Sequence, residues 1–312
     1  MTCRDGASRS YDEVMATTSS GQDRAALGAF LRSRRDRLTP ARAGMDAFPG
    51  PRRVPGLRKE ELAMLAGLSA DYYSRVEQGR QAHVSREVLG ALARALRLDE
   101  VETAHLHDLA DPAAQRPLVR RVTGHEAPQR PDPGLVRIMD AMGHLPVLLI
   151  GRRGEILARN ALLPVVLGAS LEPGSSLMRW LFLDPLARER IANWEVFAQA
   201  SVGALRRESA RRPDDRTLER LVDEVRHSDP DIARWWDDQG VRDYASVAKR
   251  IRHPVAGDLD FDIEIVSGTR EPDQRLIVYT VQVDSPTARM LPLLASWAGE
   301  LALTAGPSPA RP

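Results

Sequence analysis

The residues around Gly67 constrain this chain more than any other feature. LRKEELAMLAG places Leu57, Leu62 and Leu65 as apolar positions and Ala63 and Ala66 as small ones, and Gly67 is positioned to close the helix in a left-handed conformation. Two residues later, Ser69 can cap the next helix, ADYYSRVEQGR, by accepting from a backbone N–H at its start. A helix, a tight glycine turn and a second helix form the unit that lays its second helix in the DNA major groove.

Three more helices supply the core that two such short elements need. RAALGAFLRSRRDRL, from Arg24, spaces Leu27, Phe30, Leu31 and Leu38 helically with arginines opposite. SREVLGALARALRL, after Ser85, aligns Val88, Leu89, Leu92, Ala95 and Leu96, and DEVETAHLHDLA, from Asp99, turns Val101, Leu106 and Leu109 inward. Between the first two helices, the four prolines and three glycines of TPARAGMDAFPGPRRVPG forbid a continuous helix and read as a long basic loop. From Arg32 to Lys59 there are nine basic residues against Asp36 and Asp46, a local excess of +7 hidden within a net charge of +1. A polyanion is the partner this asymmetry fits, although a charge run is also commonly just a solvated face.

With 312 residues and 43% apolar content, the chain is long enough for two packed domains. Cys3 is the only cysteine, which rules out an internal disulfide framework or a cysteine-built metal site and suits a reducing cytosol. The N-terminal residues have no apolar run of the secretory kind, and LPVLLI at 145–150 is far shorter than the ~20 residues of a membrane span. A cytoplasmic protein without a membrane partner is expected. The expected organisation is a tail at 1–22, a helical domain at 23–111, a linker rich in Pro and Arg at 112–132, a second domain at 133–302 and a tail at 303–312.

RVPGLRKEELAMLAGLSADYYSRVEQGR followed by SREVLGALARALRL resembles the Cro/repressor-type (XRE) helix-turn-helix family, and its extended form resembles the MmyB-like regulators. In the second domain, LPVLLIGRRGEILARN reads as two strands around a glycine turn. Helical segments follow in PLARERIANWEVFAQASVGALRRES, DDRTLERLVDEVRHS and PDIARWWDDQG. Strands return in VAKRIRHPVAG, LDFDIEIVSG and QRLIVYTVQV, before a last helix from Ser285 to Leu301. This is an α+β pattern on an antiparallel sheet. It resembles the MmyB-like ligand-binding domain, which implies a PAS-like fold, through GRRGEILARN, WLFLDPLAR, NWE, RRPDD, HPVAGDLDFD and RLIVYT. One departure is GSSLMRWLFLDP, which lacks the Arg-Asn pair usual before that motif.

At 3.6 residues per turn, a helix beginning after Ser69 buries Tyr73 and Val76 and turns Ala70, Asp71, Ser74 and Arg75 toward the groove. The resemblance makes Ala70, Asp71 and Arg75 the base-facing candidates, with Tyr72 at the groove edge and Ser69 at the helix start. Arg75 can bond guanine O6 and N7 together. Asp71 can accept from cytosine N4 or merely favour the helix dipole. Glu77 is expected to point inward, toward an arginine of the first helix. Arg58, Lys59, Arg80, Arg52 and Arg53 are the phosphate candidates, and the loop pair could instead enter a narrow minor groove. One short helix reads few base pairs, so a homodimer on double-stranded DNA is expected.

The resemblance also implies a fatty-acid-like ligand. The candidate ligand-lining residues are Leu148, Ile150, Trp180, Phe182, Trp194, Phe197 and Tyr279, although the large aromatics among them ordinarily serve as core. A domain that only dimerises or binds a protein partner, with Trp235 and Trp236 as its surface, is the alternative. The third possibility, a cryptic enzyme, finds no Gly-x-Ser-x-Gly elbow, phosphate loop or His-Glu-x-x-His, and no cofactor or metal is expected. His253 lacks a second ligand at a helpful spacing and reads as structural, and His105 and His107 diverge on their helix.

Overall fold

The computed structural model describes residues 24–50, 54–81, 83–111, 128–240 and 248–304. The tail at 1–22, most of that at 303–312 and residues 112–127 of the expected linker lie outside them. By contact the chain divides into two compact units. One runs to Thr123 and includes Leu205–Arg220 and Arg234–Val241; the other comprises Gly124–Ala204, Leu221–Ala233 and Arg242–Pro312.

Helix α1 (24–37) is followed by a single-turn helix, α2 (Pro40–Ala43), inside what the sequence reads as loop. Pro40 sits at its start, where a missing N–H costs nothing, and the Thr39 hydroxyl accepts from Arg42 N at 3.3 Å. Helices α3 (Lys59–Ala66) and α4 (Ala70–Glu77) meet as expected at Gly67, whose φ of 68° is the left-handed conformation glycine adopts at little cost. Gly67 N donates to Met64 O and Leu68 N to Ala63 O, closing the α3 terminus. Ser69 Oγ accepts from Tyr72 N at 3.1 Å. Helix α5 (Arg86–Ala95) is capped by Ser85, and α6 (Glu100–Ala110) by a reciprocal Asp99–Glu102 box.

Phe30, Leu31, Leu57, Leu62, Tyr73, Leu92 and Leu106 are fully buried in one cluster. Gly28 lets α1 touch the end of α4: a Cβ there would lie 2.2 Å from the Glu77 carbonyl oxygen. Packing rather than propensity holds such short helices, since isolated eight-residue helices are unstable in water.

The C-terminal segment opens with α7 (Pro133–Ala141), a helix not anticipated because its Pro-Gly start continues the composition of the preceding linker. Asp132 Oδ1 caps it, accepting from Gly134 N and Leu135 N. Strands β1 (Val147–Ile150) and β2 (Ile156–Arg159) form the expected hairpin, followed by α8 (Leu162–Leu167). Next come α9 (Leu177–Leu183), α10 (Pro185–Arg190), α11 (Trp194–Arg211), α12 (Arg216–Ser228) and α13 (Pro230–Asp237). Strands β3 (Lys249–His253), β4 (Gly257–Ser267) and β5 (Arg275–Thr280) precede α14 (Pro286–Thr304).

The sheet is antiparallel with strand order β2-β1-β5-β4-β3, giving the expected α+β, PAS-like architecture. Its register separates two apolar faces. Val147, Leu149, Leu276 and Val278 pack with Leu135 and Met139 of α7. The pairs Leu148↔Ile277, Ile263↔Tyr279 and Lys249↔Phe261 share the opposite face, because directly paired residues point the same way.

Candidate nucleic-acid interface and ligand cavity

On α4 the buried side is Tyr73, Val76 and Glu77, while Ala70, Asp71 and Arg75 are exposed and Tyr72 and Ser74 half-buried. An unbroken surface therefore runs along the residues that the helical period turns outward. Within it Asp71 Oδ2 lies 3.4 Å from Arg75 Nη2, one turn on, with both side chains largely in solvent. Asp71 is thus placed both in the first turn, where its charge suits the helix dipole, and within reach of Arg75. Ser74 Oγ accepts from Gln78 Nε2 at 3.2 Å, bringing in exposed Gln78, a neighbour that the sequence reading passed over. Ser69 is committed to its cap.

The basic candidates are placed differently. Arg80 is exposed just beyond α4. Arg58 donates to Pro49 O at 3.1 Å and Gly50 O at 2.9 Å, so part of its guanidinium holds the loop. Lys59 Nζ lies 3.3 Å from Glu77 Oε1. Arg52 and Arg53 lie outside the described residues.

Glu77 points inward, as expected, and gathers α1, α3 and α4 around one buried carboxylate. Its Oε2 accepts from Arg35 Nε and from Tyr73 Oη, each at 2.8 Å, and its Oε1 accepts from Arg35 Nη2 at 3.3 Å. Arg32 Nε is 3.4 Å away. Burial alone would raise the Glu77 pKa, but bonds from Arg35 and Tyr73 outweigh it and hold the carboxyl below its ordinary value. Burial and the same carboxylate push the Tyr73 hydroxyl up, so it stays a donor.

In the second unit a cavity opens on the sheet face that carries Ile263, Ile277, Tyr279 and Lys249. Leu177, Met178, Trp180 and Leu181 of α9 and Phe197 of α11 complete its lining, and its space is about 340 Å³ counted with its open side. Of the seven ligand candidates, Trp180, Phe197 and Tyr279 line it. Leu148 shares the sheet face without lining this cavity, while Phe182 is buried elsewhere on α9. Ile150, next along β1 from that face, is likewise buried outside the lining. Trp194, outside the lining, is half-buried, donates to Leu181 O at 2.9 Å and stacks under Arg188.

Leu177, Met178, Leu181, Ile263, Ile277 and Lys249 line the cavity without having been candidates, and Lys249 is the charged one among them. Its Nζ donates to Tyr279 Oη at 2.8 Å and stands 4.3 Å from the Phe197 ring centroid, 5.0 Å from that of Tyr279 and 5.5 Å from that of Trp180. Desolvation lowers its pKa to about 7 and raises that of Tyr279. The signal was in KRIRH: Lys249, Ile251 and His253 alternate on the inward side of β3, so a lysine occupies a position where the period calls for an apolar group.

His253 and His105 are each held by internal contacts. His253 Nδ1 accepts from Val255 N and Ala256 N, which leaves Nε2 to donate to Val165 O at 3.1 Å. His105 is fully buried edge-on to Phe30 and neutral, its pKa lowered to about 3 by desolvation and by nearby arginines, Arg206 foremost. Trp235 is buried and Trp236 half-covered with Arg206 over its ring, so the pair is no free hydrophobic surface. Among the described residues no group of three His, Cys, Asp or Glu side chains could hold a metal, and no helix is long and apolar enough to cross a membrane.

A model described as the MmyB-like transcription regulator ligand binding domain matches residues 131–294, and a helix-turn-helix domain model matches residues 26–106. No curated protein matches the chain.

Proposed function

The chain belongs to the MmyB-like transcription regulators, joining a helix-turn-helix DNA-binding domain to a ligand-binding domain, and from that premise we propose that a small apolar, fatty-acid-like molecule in the α9–sheet cavity controls its binding to a specific double-stranded site. The observation that carries this reading is the cavity itself: three aromatic side chains and five aliphatic ones wall it, with Lys249 as its one charged group. The two matched domains are those of a DNA-binding regulator, which is not expected to turn its ligand over.

On the DNA side, Arg75, Ala70 and Asp71 read base edges from α4, with Tyr72, Ser74 and Ser69 beside them. Arg58, Lys59, Arg80, Arg52 and Arg53 position the phosphates. A homodimer presents two such helices to a palindromic site. Control follows from linkage: a ligand with unequal affinity for the DNA-competent and incompetent forms shifts the population between them, and DNA changes ligand affinity by the same factor. The test is to extract the purified protein, identify any small molecule by mass spectrometry, and measure operator affinity before and after adding it back. An extract without an apolar ligand, together with an operator affinity indifferent to added acyl compounds, overturns the reading.

A further inference from the structure

Burying an ammonium among aromatic and aliphatic groups is costly unless something offsets the lost hydration. Lys249 is 1% exposed, and no carboxylate of the described residues pairs with it; its bonded partner is the neutral Tyr279 hydroxyl. The three rings around it supply weak cation–π attraction and no charge. A second donor in the same lining is also unmatched: the Trp180 indole Nε1 is buried with no protein acceptor. Two donors without an anion, in the lining of an otherwise apolar cavity, lack what a carboxylate provides, namely one negative charge and two acceptor oxygens.

We propose that Lys249 is the anchoring cation for the carboxylate of an apolar acid held in this cavity, with Trp180 and Tyr279 completing the headgroup site. This rests on the reading of the cavity as the ligand site and assigns the chemistry of its headgroup. A single cation favours a monoanion over a phosphate ester, whose second charge would go unpaired. Tyr279 keeps its hydroxyl proton, so it donates to a carboxylate oxygen or relays to Lys249 without adding charge.

The test titrates the full chain with octanoate and with octanamide, a neutral compound of nearly the same shape, following heat or tryptophan fluorescence. Octanoate should bind about tenfold or more tightly than octanamide, the range of one charge-assisted hydrogen bond, and Lys249→Met should erase that preference. Equal binding of the two by the wild-type chain overturns the anchor while leaving the cavity as a site for neutral apolar ligands. Binding of neither overturns the cavity reading and the anchor together. The wild-type comparison decides the matter even if the Lys249 variant folds poorly, and Tyr279→Phe, which keeps the cation, should retain most of the preference.

Discussion

Replacing Glu77 with Gln tests whether one buried carboxylate organises the DNA-binding domain. The substitution keeps the shape of the side chain but removes its charge, and turns one of two acceptor oxygens into a donor facing other donors. An NH₂ group at the Oε2 position leaves both Arg35 Nε and Tyr73 Oη without their acceptor, and one at the Oε1 position does the same to Arg35 Nη2; in either case Arg35 loses the Glu77 charge and keeps only Asp36 and the Leu57 carbonyl. Arg35 is buried, so its charge cannot recover hydration in place. Removing one member of such a pair costs about 3–5 kcal/mol, a large part of the 5–15 kcal/mol that usually stabilises a domain. Because the chain has two units, whole-chain melting mixes their contributions. Native-state amide exchange in α1 and α4 reads the first unit directly.

The expected result is a loss of protection of about 3 kcal/mol or more in Glu77→Gln, and a coupling of about 2 kcal/mol with Arg35→Met in a double-mutant cycle. The effect also has a pH signature. The folded Glu77 pKa lies below the ordinary 4.5, so its contribution is complete above 4.5 and disappears as pH falls through the folded value. The gap between variant and wild type should therefore close in acid. A loss under about 1 kcal/mol, or coupling near zero, would show that α1 and α4 are held by apolar packing alone and would refute the reasoning.

Other outcomes follow from the same geometry. Replacing Arg75 with Ala should relax preference at one base-pair position by about 1–3 kcal/mol; equal weakening on all sequences, measured on a panel of single-base operator variants, removes it as a reader. Arg58→Ala should lower the dependence of log affinity on log salt by about 0.9 for each phosphate the side chain neutralises; an unchanged slope would mean that its guanidinium serves only the carbonyl oxygens of Pro49 and Gly50. Lys249 falls from 10.5 in the unfolded chain to about 7 when folded, so its burial penalty is full below pH 7 and fades as pH rises toward 10.5. At 1.36 kcal/mol per unit that penalty is on the order of 5 kcal/mol, offset in Lys249→Met by an orphaned Tyr279 hydroxyl worth about 1–3 kcal/mol. Stability curves should place the variant above wild type at pH 6, with the difference shrinking toward pH 10; a constant difference would mean that Lys249 is not desolvated as described.

Local chemistry determined much of this protein. Gly67, Ser69, Ser85 and Asp99 carry their own conformational instructions, so helix boundaries around the turn could be read from single residues. The period of α4 likewise decided that Tyr73 and Val76 face in and Arg75 faces out. The two-residue alternation of β3 and β4 located the strands. Tertiary structure decided what depends on residues far apart in sequence. Glu77 meets Arg35 across 42 positions, and Lys249 meets Tyr279 across 30 and Phe197 from a separate helix. Periodicity tells a side chain which way to point and carries no information about what it will find there. That is why Trp180, Phe197 and Tyr279 could be named as aromatic, but only strand register and helix packing could gather them around one buried ammonium.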